Sequence, residues 1–551
     1  MDFSYPWRFD SRRPAIMAAN GMVATSHPLA ARTGLRVLEE GATAADAAIA
    51  TAAVLNVVEP HMTGIGGDMF ALVHEDGDYT ALNGSGGAPA AVDIAEYRER
   101  TNAETDDGEP AMPFDGGLSV TVPGALDGWA KLLDRFGTCE LGALLEPAIR
   151  YARKGVPITE LNARQWEHSA ERLRQFDRSV ETFFPGGSPP SPGQRVRNPQ
   201  FADTLELIAA EGPDALYGGE IGETVVEVVQ EHGGTLSLSD LESHSGEWTE
   251  PISTSYNGLE VLEHPPNGQG AVALEALNIA ETFEIDADPT DPERLHTLIE
   301  AIKIGFADGY AHVTDPNHYD VPLETMLSDE YAAERATEIG TEAGAYDPGA
   351  GSWSGAGSLP GTAGTGDETV YLTVVDGDGT AVSFINSIYA SFGSALTARG
   401  FALQNRGHSF SLDPGHANAL EPGKRPFHTI IPAMLREDDE FRASWGVMGG
   451  AMQPQGHLQV ITNLVDSELN PQKALDVPRF RWLDDRRVAL ETDRLSEETV
   501  VELRERGHEI VTEADFYDQG GHWGAGQFIV YEDATLIGGS DPRRDGQAMG
   551  Y

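Results

Sequence analysis

An α+β fold is what this sequence predicts, and three observations carry it. Helical periodicity dominates the early chain, two β runs meet across a tight turn at Asp376–Gly379, and a glycine-rich stretch separates these regions. Pro28 to Gly41 and Thr43 to Val58 read as two helices, each closed by Gly or Pro, the second alanine-rich and suited to close packing. The run Glu59 to Asp68 leads into a strand at Met69 to His74. Further helices are expected at Leu141 to Arg153 and Pro292 to His312, where Leu295, Leu298, Ile299, Ile302 and Phe306 share one face. From Gly340 to Gly366, nine glycines in 27 residues mark a linker. It ends at Thr369–Val375, a strong β run, followed by the turn Asp376-Gly377-Asp378-Gly379 and a second strand, Ala381–Ser387. The junction divides the 551 residues into segments 1–368 and 369–551, and no internal repeat is present.

Composition bounds the function. With 40% hydrophobic and 8% aromatic residues the chain has a large core to bury. Its 88 Asp and Glu outnumber 37 Lys and Arg, giving a formal net charge of −51, and only Lys131, Lys154, Lys303, Lys424 and Lys473 are lysines. Such a field opposes nucleic acid and anionic membranes as partners. At molar salt the Debye length shrinks to about 3 Å and the self-repulsion is screened, so the acidity reads as adaptation to a salt-rich interior. The alternative is an acidic protein of ordinary surroundings. The single cysteine, Cys139, excludes an internal disulfide and a CxxC metal site. Residues 1–20 show no apolar signal region, and Ala44 to Val58 is too short and too polar to span a bilayer, so a soluble cytoplasmic protein is expected.

A threonine that starts a central strand directly after a flexible linker points to a specific chemistry. In a self-cleaving enzyme the hydroxyl of Thr369 attacks the carbonyl of Glu368, and hydrolysis of the resulting ester frees the threonine's own amine as a base, with an ordinary pKa of about 7.7–8.0. His61, His408 and His457 lack metal-ligand spacing, and Gly64-Ile65-Gly66-Gly67-Asp68 lacks the Lys-Ser/Thr pair of a phosphate loop. No metal or cofactor is expected.

Six stretches carry a family likeness: Met62–Asp68, Gly366–Leu372, Ser391-Phe392-Gly393, Gly423–Thr429, Gly446–Gly450 and Asp545–Tyr551. In this order they resemble the γ-glutamyltransferase family over nearly the whole chain, from about Met22 to Tyr551. The resemblance implies an N-terminal-nucleophile (Ntn) hydrolase αββα sandwich, formed jointly by two autoproteolytic fragments that pair as a heterodimer. It implies Thr369 as nucleophile, Ser387 in the place of a second threonine that orients it, and Gly449 and Gly450 as oxyanion donors, with a tight turn as the plain alternative for the glycines. Where γ-glutamyl enzymes grip the α-carboxylate with an arginine and two serines, this sequence has Ser85, His428 and Thr429. Where they hold the α-amine with an asparagine, a polar or acidic residue and an aspartate, it has Tyr389, Arg406 and Ser409. Arg406 would repel an ammonium and suits an anionic acyl group, as in cephalosporin-acylase-like members, or is a structural arginine paired with a carboxylate. His428 either orients substrate or fills the wall.

The expected activity is therefore a γ-glutamyltransferase or glutathione-hydrolase type cleavage of a small amide or peptide. The alternatives are a non-glutamyl amidase or acylase of the same fold, and an uncleaved, silent scaffold. Haloadaptation makes a measurable demand: the melting temperature should rise steadily as KCl goes from roughly 0.1 to 2 M. A flat or falling trend would contradict it.

Overall fold

The computed structural model describes residues 13–105, 108–350, 369–518 and 521–551. Two seven-stranded antiparallel sheets face each other. The first runs Gln547–Gly550, Met22–Thr25, Val370–Val375, Ala381–Ser387, Asp68–Glu75, Asp78–Gly84, Glu247–Thr249. The second runs Ile16–Ala18, Thr535–Ser540, Ala525–Glu532, Glu440–Met448, Ala433–Glu437, Leu259–Glu263, Ile252–Tyr256. Both sheets draw strands from either side of the junction at residue 369, so neither segment holds a complete sheet.

Between the sheets lie small and medium apolar side chains, among them Met22, Ala24, Leu72, Val375, Met434 and Ile529. A polar seam crosses them: the Thr373 hydroxyl donates to Ser444 Oγ at 2.6 Å, and Tyr371 and Ser383 share a hydrogen bond of the same length. Helices cover the outer faces. Pro28–Glu39, Ala44–Val58, Ala125–Phe136 and Leu141–Lys154 share a core cluster with the first sheet. Gly270–Glu281, Pro292–His312 and Met452–Val465 do the same for the second. The αββα order expected from the sequence is the order found.

Local signals explain where elements begin. Thr43 caps the Ala44–Val58 helix in a capping box with Asp46, and the helix is buried along nearly its whole length, as its alanine content requires. The expected strands extend by a residue or so, to Asp68–Glu75, while Val370–Val375 begins one residue after Thr369. The turn at Asp376 closes with Gly379 at φ +87°, a left-handed conformation suited to glycine. Of the expected linker, residues 351–366 lie outside the described residues, as does Glu368.

The two N-terminal helices approach through Gly34, where a Cβ would sit 2.2 Å from Thr51 Oγ1 and 3.2 Å from the Ala47 carbonyl oxygen. Gly34→Val should cost about 1–3 kcal/mol by overpacking, measurable by denaturant unfolding. An unchanged midpoint would mean that these helices are not locked as described.

Candidate active site

Thr369 stands at the mouth of the first sheet, buried, with its hydroxyl donating to Ser387 Oγ at 3.1 Å. The pairing is built by register: Val370 faces Asn386 across the hairpin, so the residues just beyond, Thr369 and Ser387, end up side by side. Ser387 Oγ also accepts from the Tyr389 N–H at 2.9 Å and from Arg406 Nη2 at 3.3 Å. Tyr389 is held at φ +72°, a conformation a tyrosine adopts only when its surroundings impose it.

Arg406 is the hub of the wall beside the nucleophile. It is fully buried; Nη1 donates to Thr429 Oγ1 at 2.8 Å, and the guanidinium lies over the Tyr389 ring at 4.5 Å. Thr429 is positioned in turn by Gln269, whose Nε2 donates to the Thr429 carbonyl at 2.6 Å and to the Gly450 carbonyl at 2.9 Å. One amide thus ties the arginine wall to the glycine turn.

Behind this wall lies Asp68, directly opposite Ser387 in the sheet. Its Oδ1 accepts from the Gly86 and Gly124 N–H groups and from Gln404 Nε2, each at 3.2 Å. Its Oδ2 meets His428 Nε2 at 3.1 Å. Because His428 Nδ1 accepts from the Ile430 N–H, the imidazole is neutral and Nε2 is the donor to Asp68. Burial holds His428 well below the ordinary histidine range, and the Arg406 charge adds to this. Of the two roles expected for His428, orienting substrate or filling the wall, the geometry assigns a third, a hydrogen bond to Asp68.

The glycines preceding Asp68 are explained by packing. A Cβ at Gly66 would lie 2.3 Å from the Ala402 carbonyl oxygen, and one at Gly67 would lie 2.2 Å from that of Ser387. Sequence reasoning used this run as part of the family likeness and dismissed it as a phosphate cradle, but assigned no role to Asp68 or to Gln269. An aspartate that ends a glycine run and starts a strand was the available signal.

Gly449 and Gly450 follow the Glu440–Met448 strand with φ of +125° and +56°. A Cβ at Gly449 would lie 2.9 Å from His522 Cε1, so no larger residue fits. Their carbonyls are taken by the Met452 and Gln453 N–H groups, and the 14-residue helix Met452–Val465 starts immediately afterwards. A turn that opens a helix N-terminus presents N–H groups and a positive dipole end, the requirement for holding an oxyanion.

Ser85 and Ser409, also expected in the pocket, are held by asparagines. Ser85 Oγ donates to Asn83 Oδ1 at 2.7 Å, in a network with Asn267, and reaches the Asp68 cluster only through its neighbour Gly86. The Ser409 carbonyl is bonded by Asn418, and its hydroxyl makes no hydrogen bond to a described residue. His61, His408 and His457 are held by Gln165 and Trp166, by the Met112 carbonyl, and by Glu263 with the Val447 N–H, respectively. Among the described residues, His296, Glu300 and His508 converge closely enough to ligate a metal. Their contacts already account for them: the two imidazoles bond each other at 2.9 Å, and Glu300 accepts from Lys303, Gly344 and Tyr346.

Burial pushes the Asp68 carboxyl up to about 7, against the pull of Arg406 and of the Gly86, Gln404 and Gly124 donors. The native chain therefore holds a proton that the unfolded chain releases between pH of about 4 and 7, so this group's contribution to stability is full below that window and lost as pH rises through it. Asp68→Asn cannot titrate and should flatten that part of the stability–pH curve measured by chemical denaturation. A curve of unchanged shape would contradict the shift.

Comparison with known proteins places this geometry. The γ-glutamyltranspeptidase family profile matches residues 30–551. A glutathione hydrolase-like YwrD proenzyme of Bacillus subtilis is 38% identical over 97% of this chain and 99% of that protein. An oxamate amidohydrolase proenzyme of Klebsiella pneumoniae is 36% identical over the same shares. The crystal structure of a cephalosporin acylase from Bacillus halodurans, 43% identical, superposes with a TM-score of 0.89 over 100% of this chain and 99% of that one. Sandwich and relatives agree: the chain belongs to the γ-glutamyltranspeptidase family and is an Ntn-type hydrolase.

Proposed function

We propose that the chain cuts itself between Glu368 and Thr369 and then hydrolyses an amide whose acyl group ends in an anion. In the first step Thr369 Oγ1 attacks the Glu368 carbonyl carbon, the C–N bond breaks, and water hydrolyses the ester to leave a Glu368 carboxylate and a free Thr369 amine. In turnover that amine takes the Oγ1 proton as the oxygen attacks the substrate carbonyl. The N–H groups of Gly449 and Gly450 hold the oxyanion, and the proton passes to the departing amine. Water, or an acceptor amine, then releases the acyl group. Ser387 orients Thr369, and the segments 1–368 and 369–551 stay together as a heterodimer because both sheets contain hydrogen-bonded strands from each segment.

The observation that carries the acyl assignment is Arg406, bonded to Ser387 and Thr429 directly beside the nucleophile. A γ-glutamyl group would bring its ammonium toward that guanidinium. A dicarboxylic acyl group would bring a carboxylate, which an arginine can pair with its charge and planar donors. Relatives named as an oxamate amidohydrolase and as acylases support a non-glutamyl acyl group. A γ-glutamyl substrate is the second reading, favoured by the glutathione hydrolases among the relatives.

Processed enzyme should hydrolyse a glutaryl or oxalyl amide with a kcat/KM at least tenfold above that for the matching γ-glutamyl amide. Preference for the γ-glutamyl amide would overturn the acyl assignment. Thr369→Ala should remain one intact chain on a denaturing gel and turn over neither amide.

A further inference from the structure

A cavity of about 90 Å³ is lined in part by His522 and Gly524, the two residues that pack against Gly449. Its wall comes from three distant segments: the nine-residue helix Glu160–His168, Tyr517 together with Gly521-His522-Trp523-Gly524, and Arg543-Arg544. In a chain with 88 acidic residues, none of the described residues that line it is acidic, while Arg164, Arg543, Arg544, His168 and His522 all line it.

His522 links this cavity to the reaction. Its Cε1 is the atom that a Cβ at Gly449 would strike at 2.9 Å. Its Nδ1 accepts from the Gly524 N–H at 3.2 Å, so the proton of the neutral ring is on Nε2. That Nε2 is buried and makes no hydrogen bond to a described residue. A buried N–H donor without an acceptor costs stability unless a ligand supplies one. The surrounding charge selects the sign of that ligand. Arg164 lies against the Tyr517 ring at 5.3 Å, and Arg543, anchored by Glu491 and Asp541, makes the floor rigid.

We propose that this cavity is a subsite for a carboxylate carried by the amine half of the substrate, bound by His522 Nε2–H and the guanidinium of Arg164 in the field of Arg544. The inference rests on the amide-cleaving reading above, with the acyl half against Arg406 and the amine half reaching past Gly449. Substrates would then be doubly anionic amides, each end read by arginine, in a protein whose overall field repels anions and so needs local compensation to admit them.

The test uses processed enzyme at constant KCl. Binding of aminobenzoate, compared with aniline, is measured by calorimetry, and kcat/KM is compared for anilides with and without a ring carboxylate that share one acyl group. Aminobenzoate should bind at least tenfold tighter than aniline, the carboxylated anilide should be preferred by a similar factor, and Arg164→Gln should reduce both ratios about tenfold. Arg164→Lys, which keeps the charge, should restore part of the loss. Equal binding of aminobenzoate and aniline, or ratios that Arg164→Gln leaves unchanged, would overturn the subsite. If aminobenzoate binds as expected while neither anilide is turned over, the subsite stands and the amide-cleaving reading fails.

Discussion

A threonine hydroxyl held 3.1 Å from a serine hydroxyl, at the adjoining ends of two hydrogen-bonded strands, is the contact around which this molecule is organised. Neither group is chemically unusual. What makes the pair useful is rigidity: the strands are central in their sheet, buried on both faces, and flanked by Met22–Thr25 and Asp68–Glu75. A hydroxyl fixed in this way would lose little entropy on reaching a target, which is what the proposed role of Thr369 requires. The proposed cut before Thr369 would leave both sheets intact, because each contains strands from either side of it.

Around this pair the polar groups are arranged in two tiers. Arg406, Thr429 and Tyr389 form the wall beside Thr369 and Ser387, Gln269 braces Thr429, and Asp68 gathers His428 and Gln404. Burying Asp68 is tolerable because four donors and a nearby guanidinium surround it. The exchange of family residues noted in the sequence, a threonine and a histidine for two serines and an arginine for an acidic or polar residue, is therefore a rebuilt network and not a set of isolated losses.

The fold was legible in the sequence where structure is set locally. The Pro28 and Pro292 helices and the Ala381–Ser387 strand begin where expected, because caps, periodicity and turn residues act over a few positions. The pairing of Thr369 with Ser387 and the Gly449-Gly450 turn were singled out through family likeness, and the structure shows Thr369 bonded to Ser387 and the two glycines at positive φ. The partners of Ser85 and Ser409, Asn83 with Asn267 and Asn418, were not legible because tertiary packing sets them. Asp68 and the Arg164–His522 cavity escaped for the same reason: their partners lie dozens to hundreds of residues away.

The most direct test of the account is N-terminal sequencing, with intact mass, of the smaller fragment of the purified enzyme. The account predicts a 183-residue chain that begins Thr369-Val370-Tyr371. A fragment starting at any other residue, or an active enzyme whose chain is never cut, would contradict it.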